Sequence, residues 1–438
     1  MASEVGEVAV AVVDTPASTE APEYPPPPPA STEAQEGSAA VVDMPTSTEM
    51  KEVPAPVTPE AVEIPAVAVE IPEVVAVTPA SPPPGPPEAP PASTKGKPPL
   101  LAPFTTAASE AISVKKVVVI YNPVSGGKRG QKLMDNVVNP AFKEAGVEVV
   151  ALATQHSGHG VGLAETADLT GVDALCALGG DGTLSEVING FMRREPQPSC
   201  AIGFLPGGTG NTFMHDVMGK KQRGEAAVRA AVAVIMGGLT RKVDLSRLEC
   251  FGPDGTTPLT RYSINIVTAG FGVVINAKAE TRRWMGPARY SFTQTLEIVK
   301  LAFGRKSPPC TFTIDGEKHE FGCFVICMMN NKHTGASIRV CPRAQLDDGK
   351  IDIMYTPSHI GVLKALKLDG MIKAGGKHIH DKLVSYKFAT SSIELATAAG
   401  QPPLELMVDG DIIGVTPLKT TVLPAALTLL TPGQSPPS

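Results

Sequence analysis

Hydrophobic and polar positions alternate in two different ways along the chain, and the pattern changes near residue 240. Before that point, short runs rich in Val, Ile and Leu alternate with longer segments that carry an apolar face at helical spacing. Runs of this kind predict strands buried on both faces, with helices packed against them. The alternation predicts a doubly wound parallel sheet. The predicted strands are KKVVVIYNP, VEVVALAT, DALCALGG and AIGFLPGG, and the predicted helices lie at about 129–144, 160–169, 183–194 and 224–236.

Short strand-like runs dominate after residue 240, and helices interrupt them only near 288–304 and 359–374. This pattern predicts a second, mainly antiparallel β domain. Ligands in such an arrangement lie at the carboxyl ends of the parallel strands, facing the cleft between the domains. The predicted strands of this part are RKVDLSRLE, YSINIVT, FVICMM, KIDIMY, VSYKFAT, LELMVDG and LTLL.

Composition separates a third segment from both domains. Residues 1–112 carry 16 acidic residues against three lysines and 24 of the 43 prolines, but only two aromatic residues. Such a segment cannot bury enough apolar surface to offset its loss of chain entropy, so we expect it to be disordered. Its net charge of −13 leaves +7 for the remaining residues. The predicted organisation is a disordered, Pro-rich acidic leader (1–112), an α/β domain (113–240), a β-rich domain (241–433) and a tail (434–438).

The same composition bears on location and partners. No apolar run approaches the roughly 20 residues of a membrane-spanning helix, and the acidic N-terminus resembles neither a signal nor a transit peptide. Seven cysteines without CxxC pairing favour a reduced, cytoplasmic setting. The runs Pro25–Pro29 and Pro82–Pro87 are typical of polyproline segments that SH3, WW or EVH1 domains bind, and a plain spacer is the alternative. The histidines without a recognisable metal-ligand spacing are His156, His159, His333, His378 and His380.

Three glycine-rich loops each follow a predicted strand. Their glycines let backbone N–H groups approach an anion, and the helix that follows adds positive potential. None matches GxxxxGK[ST] or GxGxxG, so neither a P-loop NTPase nor a Rossmann dehydrogenase is indicated. Asp181, between glycines, could bind magnesium or accept a proton, and the alternative is a helix cap. The loops are NPVSGGKRG (122–130), GGDGTLSEVING (179–190) and PGGTGNTF (206–213).

These loops resemble the diacylglycerol kinase catalytic-domain superfamily of lipid kinases, which includes sphingosine and ceramide kinase-like enzymes and the related bacterial YegS-type lipid kinases. Members show NPxSG, GGDGTxxEVxNG and PxGTGN loops in this order. The resemblance covers about 113–433, because the segments 283–290, 344–352 and 408–411 are similar to the family's arginine segment, DDGxLD stretch and VDGE loop. It implies an NAD kinase-like nucleotide-binding domain over 113–240.

The resemblance also implies a reaction: transfer of the ATP γ-phosphate to a primary hydroxyl of a sphingoid base, ceramide or diacylglycerol. Asp181 matches the proposed base of sphingosine kinases, and Asp409 matches that of bacterial diacylglycerol kinases. Magnesium would lie near Asp181 and Asp411. Peripheral contact with a membrane surface is expected, and no nucleic-acid partner. The residues assigned to ATP are Asn122, Ser125, Gly126, Thr154, Gly180, Gly182, Thr183, Gly208, Thr209, Asn211, Arg283 and Arg289.

Two positions depart from the family pattern. The late loop carries Asp411 where the family usually has glutamate, which shortens the carboxylate by one methylene. Asn276 stands where sphingosine kinases have an acidic residue suited to a protonated amine, so a neutral lipid alcohol stays open as the substrate. The stripe Phe292, Leu296, Val299 and Phe303 could line a lipid cleft, with plain core packing as the alternative.

Two other functions remain as alternatives. The first is NAD kinase, a remote relative that shares a GGDGT loop. The second is a catalytically weak protein that acts through its Pro-rich leader. The NPxSG and GTGN loops and the VDGD ending favour a lipid kinase over both.

Overall fold

The structure is a computed structural model that describes residues 104–105, 110–218, 224–282, 285, 288–300, 308–319, 321, 324–335, 338–357 and 359–433. Most of the acidic leader, both polyproline runs and the tail 434–438 lie outside these residues. The described chain forms an α/β part followed by a mainly antiparallel β part, so the predicted fold class is confirmed.

The first part contains the predicted alternation of strands and helices. A π turn over Met134–Val138 joins two of the helices. The elements are β1 (Glu110–Ala111), β2 (Lys116–Tyr121), α1 (Ser125–Lys128), α2 (Gly130–Leu133), α3 (Asn139–Glu144), β3 (Glu148–Ala153), α4 (His159–Thr166), β4 (Ala174–Gly179), α5 (Asp181–Phe191), β5 (Ala201–Pro206), α6 (Thr212–Met218) and α7 (Gly224–Gly237).

The parallel strands are arranged in the order β3–β2–β4–β5. Every residue of β4 and β5 is buried, which explains why their sequences are uniformly apolar rather than alternating. The chain moves from β2 to β3 on one side and then returns to β4 on the other. The carboxyl ends of β2 and β4 therefore flank a topological switch point, where open α/β sheets bind ligands.

The second part is dominated by antiparallel strands. Its elements are β6 (Leu239–Phe251), β7 (Pro258–Ser263), β8 (Ile266–Gly270), α8 (Phe271–Glu280), α9 (Ala288–Lys300), β9 (Cys310–Ile314), β10 (Glu317–His319), β11 (Val325–Met329), β12 (His333–Thr334), β13 (Ile338–Arg339), β14 (Ile351–Tyr355), α10 (Val362–Lys373), β15 (Ser385–Ala389), β16 (Ser392–Thr397), β17 (Glu405–Val408) and β18 (Asp411–Leu430).

The helix α8 was not predicted, because only two helices were expected in this part. Its first turns contain Gly272 and three consecutive β-branched residues, a composition that favours a strand. Packing overrides this preference, since α8 lies against β8 and α9 and the Lys278 ammonium contacts the buried Glu297 carboxylate of α9 at 2.7 Å.

One long strand joins the two parts. The start of β18 follows the turn after β17, its middle pairs with β6 and β16, and Leu429 near its end pairs in parallel with Ile202 of β5. The β sheet is therefore continuous from one domain to the other. Because β18 begins at Asp411, the same strand that completes the parallel sheet also positions the 409–411 loop.

Described contacts begin before the boundary predicted at residue 113. Phe104 is buried in the core of the α/β part, and the Arg241 guanidinium lies 4.6 Å from its ring centre. Thr105 donates to the Asp347 carboxylate through its backbone N–H, and β1 pairs with β6. The last residues of the segment 1–112 thus belong to the folded body.

Candidate active site

A single cavity of about 1560 Å³ runs from the switch point of the parallel sheet into the β-rich part. The three glycine-rich loops and the 409–411 loop line one end. Apolar side chains from α8, α9, α10 and the neighbouring strands line the other end. The cavity is therefore amphipathic along its length.

The loop after β2 folds back on itself and touches the third loop. Asn122 Oδ1 accepts a hydrogen bond from the Val124 N–H, which fixes the turn. Gly126 has a φ of +59°, and a Cβ at this position would lie 2.2 Å from the Gly207 carbonyl oxygen. Only glycine therefore permits this approach. Ser125 Oγ is buried in the cavity wall and has no hydrogen-bond partner among the described residues.

The second and third loops are joined through Asp181. One carboxylate oxygen accepts from the Thr212 N–H at 2.8 Å, and the other accepts from the Phe213 N–H at 3.1 Å. Both donors belong to the first turn of α6, so Asp181 satisfies two orphan N–H groups of that helix from a distant loop. Burial raises the pKa of Asp181, and the two backbone donors oppose this rise.

Close backbone contact brings these two loops together. A Cβ on Gly208 would lie 2.5 Å from Gly180 Cα and 2.8 Å from Asn211 Oδ1. The Asn211 amide closes its own loop, because its oxygen accepts from the Gly208 N–H and its nitrogen donates to the carbonyls of Pro206 and Gly208. Asn211 therefore shapes the loop, and its side-chain atoms are engaged inside it.

The other residues expected around ATP lie on the same walls. Thr154 follows β3 and lines the cavity, and Thr209 is exposed at the tip of the third loop. Thr183 is buried beneath the second loop, where a Cβ on Gly179 would collide with its hydroxyl at 2.3 Å. Gly182 faces the opposite wall. A Cβ there would lie 3.9 Å from Asp411 Oδ2.

Glu186 has a role that the sequence did not predict. Its two carboxylate oxygens accept from the N–H groups of Gly158 and Gly160 at 2.8 and 2.9 Å. Glu186 thereby ties α5 to the segment between β3 and α4, which forms another part of the cavity wall. The sequence indicates Glu186 only by its position about one turn after Asp181. It does not indicate the partners Gly158 and Gly160, which lie 28 and 26 residues away.

The 409–411 loop lies opposite the glycine-rich loops. Asp409 is 6% exposed, and its Oδ1 accepts from the Ser263 hydroxyl at 2.6 Å and from the N–H groups of Asn265 and Ile266 at 3.1 Å. Burial raises the pKa of Asp409, while these donors oppose the rise. Asp409 thus anchors the turn between β7 and β8.

Asn276 contacts this loop directly. Its Nδ2 donates to the Gly410 carbonyl at 2.7 Å, so the side chain holds the loop. Asn276 lines the cavity with Gly410 and Asp411. Gly410 has a φ of +108°, a backbone conformation that favours glycine.

The side chains of the two arginines expected at the phosphates are not among the described residues. Arg283 lies outside the described residues. Arg289 belongs to α9, and its side chain also lies outside the description.

The apolar end of the cavity is lined by side chains of a second hydrophobic cluster, and α8, α9 and α10 cover it. Phe271 of α8 stacks on Phe324 at a centroid distance of 4.8 Å. The stripe on α9 that was predicted to line a lipid cleft does not face the cavity at two of its positions, because Phe292 and Val299 are half exposed to solvent. Ile298 of the same helix lines the cavity instead. Phe303 lies outside the described residues. The apolar lining residues are Phe271, Ile275, Ile298, Phe324, Val325, Cys327, Ile338, Val340, Met354, Ala365, Leu368 and Ile372.

The end of the cavity that the glycine-rich loops line has the properties that a polyphosphate with a divalent cation requires. Glycines at the loop contacts leave backbone N–H groups accessible, and the buried Ser125 hydroxyl offers an unused donor. Asp181 and Asp411 supply hard oxygen ligands on facing walls. The residues present therefore fit ATP with magnesium.

The described chain is thus a two-domain fold with a cavity at the switch point of its α/β domain. Family models agree: residues 116–248 match the diacylglycerol kinase catalytic domain, and residues 265–431 match the YegS C-terminal NAD kinase beta sandwich-like domain. The two matches together cover more than half of the chain. The chain belongs to the diacylglycerol kinase catalytic-domain superfamily of lipid kinases, so the predicted family is confirmed.

Individual relatives agree with this assignment. The chain is 25% identical over 338 residues to Sphingosine kinase 1 of Arabidopsis thaliana, covering 68% of each protein. It is 25% identical over 321 residues to Diacylglycerol kinase of Mycobacterium tuberculosis, covering 73% of this chain and 96% of the relative. The crystal structure of a diacylglycerol kinase from Bacillus anthracis has the same fold, with a TM-score of 0.55 and 20% identity over 73% of this chain and 97% of that chain.

Proposed function

We propose that this chain transfers the γ-phosphate of ATP to the primary hydroxyl of a neutral lipid alcohol, with magnesium. The proposal rests on one continuous cavity that joins a polar end lined by glycines to an apolar end. A kinase for a small soluble acceptor would need no apolar compartment of this extent. The family membership supports a lipid acceptor independently.

The charges along the cavity favour a neutral lipid over a protonated amine. Glu186 is bound by two backbone N–H groups, and the Asp369 carboxylate accepts from Lys373 and Gln294 at 2.7 Å each. Asn276 supplies no charge and holds the 409–411 loop. Ceramide or diacylglycerol therefore fits this site better than a sphingoid base.

In the proposed mechanism, the protein positions the reactants and stabilises charge. The three loops would orient the phosphates through backbone N–H groups, and Ser125 would donate a further hydrogen bond. Magnesium, held by Asp181 and Asp411, would neutralise phosphate charge. The apolar end would exclude water and direct the lipid hydroxyl towards the loops.

We propose Asp181 rather than Asp409 as the proton acceptor. Each of its oxygens accepts one backbone N–H, which leaves further lone pairs on a half-buried carboxylate in the cavity. Asp409 is more deeply buried: its Oδ1 accepts three hydrogen bonds that hold the turn between β7 and β8, and its Oδ2 is buried without a hydrogen-bond partner among the described residues. The choice of Asp181 therefore rests on its greater exposure to the cavity. Asp409 would instead position the loop that carries Asp411.

Access to a lipid requires contact with a membrane, and we propose that α9 and α10 provide it. None of the helices in the described ranges has the length and apolar character to cross a bilayer. Leu363 is 83% exposed and Leu366 is 42% exposed on α10, beside Lys364, while Phe292 is 50% exposed on α9. Apolar side chains with an adjacent lysine suit an anionic lipid surface. These helices also roof the apolar end.

Label transfer from [γ-32P]ATP tests the proposed function. Purified full-length chain would be assayed with ceramide, diacylglycerol, a sphingoid base and NAD in parallel. We expect magnesium-dependent labelling of ceramide or diacylglycerol. Labelling of NAD alone would identify an NAD kinase, and labelling confined to the sphingoid base would refute the proposed preference for neutral lipids.

A further inference from the structure

Three side chains with metal-binding chemistry meet where α6 of the α/β part contacts β12 of the β-rich part. His215, Asp216 and His333 each offer one ligand atom, and these atoms lie within 4.8 Å of one another. His333 Nδ1 and Asp216 Oδ1 are hydrogen bonded. The rings of His215 and His333 meet edge to face with centroids 5.4 Å apart.

The surrounding backbone fixes the carboxylate of this cluster. Asp216 Oδ2 accepts from the N–H groups of Lys332 and His333 at 2.8 and 3.1 Å. Asp216 and His333 are both less than a tenth exposed, whereas His215 is half buried. The site is therefore built before any ligand arrives, and both histidines reach the cavity wall.

We propose that His215, Asp216 and His333 form a site for a divalent transition metal of the zinc class. Two imidazole nitrogens and one carboxylate oxygen are ligands that zinc and cobalt accept, whereas magnesium prefers oxygen ligands. Tetrahedral coordination at about 2.0–2.1 Å requires ligand atoms roughly 3.3 Å apart, so small side-chain rotations suffice. A fourth position would face the cavity.

This site shares no ligand with the magnesium site proposed between Asp181 and Asp411, although residues of both line the same cavity. It would connect the two parts of the chain, because its ligands come from α6 and from β12. Two cations lie near Asp216, namely Lys332 and Arg339. They compete with a metal for the carboxylate, so we expect weaker binding than at a structural zinc site with four protein ligands.

Metal titration of the full chain tests the inference without any measurement of phosphorylation. Chelator-treated protein would be titrated with Co2+ and monitored by visible absorption, and then with Zn2+ by calorimetry, in the absence of ATP. We expect one equivalent to bind and the Co2+ spectrum to indicate tetrahedral coordination. His215→Gln and His333→Gln should each weaken binding at least tenfold.

A second histidine pair provides the matched control. His156 is exposed and stacks on the half-buried His159 at a centroid distance of 4.9 Å, and the pair belongs to no cluster of three metal-ligating side chains among the described residues. His156→Gln should leave the metal affinity unchanged. His215→Gln is the decisive variant, because His215 is half buried and its loss should preserve folding, which a thermal melt would verify. Absence of stoichiometric binding, or equal losses in the control, would overturn the site.

Discussion

Replacing Gly208 by alanine should separate the second and third loops and weaken ATP binding. The new Cβ would lie 2.5 Å from Gly180 Cα and 3.0 Å from Gly180 N, where ordinary contacts begin near 3.4 Å. The obstacle is backbone rather than a flexible side chain, so the loops must move apart by about 1 Å. Overpacking of this kind costs about 1–3 kcal/mol. If binding loses the same free energy, the Kd for Mg-ATP rises by roughly 5- to 150-fold.

The assay is thermal melting of both variants with and without Mg-ATP, followed by calorimetric titration of ATP. Gly162→Ala is the matched control, because Gly162 lies within α4 and a Cβ there would have no heavy atom within 4 Å. The control should be neutral or gain up to about 1 kcal/mol of stability. An unchanged Kd in Gly208→Ala would refute the conclusion that these loops bind phosphate together.

Three further predictions concern the carboxylates Asp181 and Asp409, the buried Asp352 of β14, and the proposed membrane contact on α10. Asp181→Asn should lower kcat at least a hundredfold, with a modest fall in melting temperature because one of its two backbone N–H partners loses its acceptor. Asp409→Ala should mainly lower the melting temperature, because it removes the acceptor of three hydrogen bonds, and the opposite outcome would exchange their proposed roles. Burial raises the pKa of Asp352 to about 7, so its stabilising contribution is fully present below about pH 4 and is lost as the pH rises to 7. The unfolding free energy of the wild type relative to Asp352→Asn should therefore fall by up to about 4 kcal/mol over that range, and parallel curves in urea titrations would contradict this. Leu363→Asp with Leu366→Asp should reduce sedimentation with anionic vesicles at least tenfold but preserve activity on detergent-dispersed lipid, and undiminished sedimentation would exclude α10 as the contact.

Much of the α/β part could be predicted because its local signals agree with one another. The strands β2, β4 and β5 are short, apolar and ended by Asn or Gly, and each is followed by a segment with a helical period. The β-rich part was less predictable. The sequence of α8 favours a strand, and only its packing against β8 and α9 makes it a helix.

Site residues that are contiguous in the sequence could be predicted, whereas contacts between residues far apart in the sequence could not. The loops around Asp181 and Asp409 carry compact motifs, and they line one cavity as expected. Their partners could not be read from one sequence, because Asp181 meets Thr212 across 31 residues and Asn276 meets Gly410 across 134. His333 meets Asp216 across 117 residues, and for this reason no metal-ligand spacing was visible.

The burial of individual side chains was also not predictable from the sequence. His378 lies beside Lys377 and near His380 in the sequence, a pattern typical of a solvated basic face, but it is fully buried and its Nε2 contacts the Val340 carbonyl oxygen at 2.8 Å. Phe292 was expected to face the lipid, but it is half exposed because the inward face of α9 runs through Ile298. Apolar residues at helical spacing show that a helix has an apolar face, but packing against neighbouring helices determines which of these residues are buried.

We propose that one cavity holds the nucleotide at its loop end and the lipid chain at its apolar end. Ile372→Trp tests it directly, because Ile372 lines the apolar end and is only half buried, with Leu363→Trp on the exposed face of the same helix as the control. Initial rates would be measured against the concentration of detergent-dispersed lipid, which bypasses the proposed membrane contact at Leu363, together with the Kd for Mg-ATP. We expect at least a tenfold loss of kcat/KM for the lipid in Ile372→Trp, with an unchanged Kd for Mg-ATP and normal kinetics in Leu363→Trp. Equal kcat/KM for the lipid in both variants would contradict it.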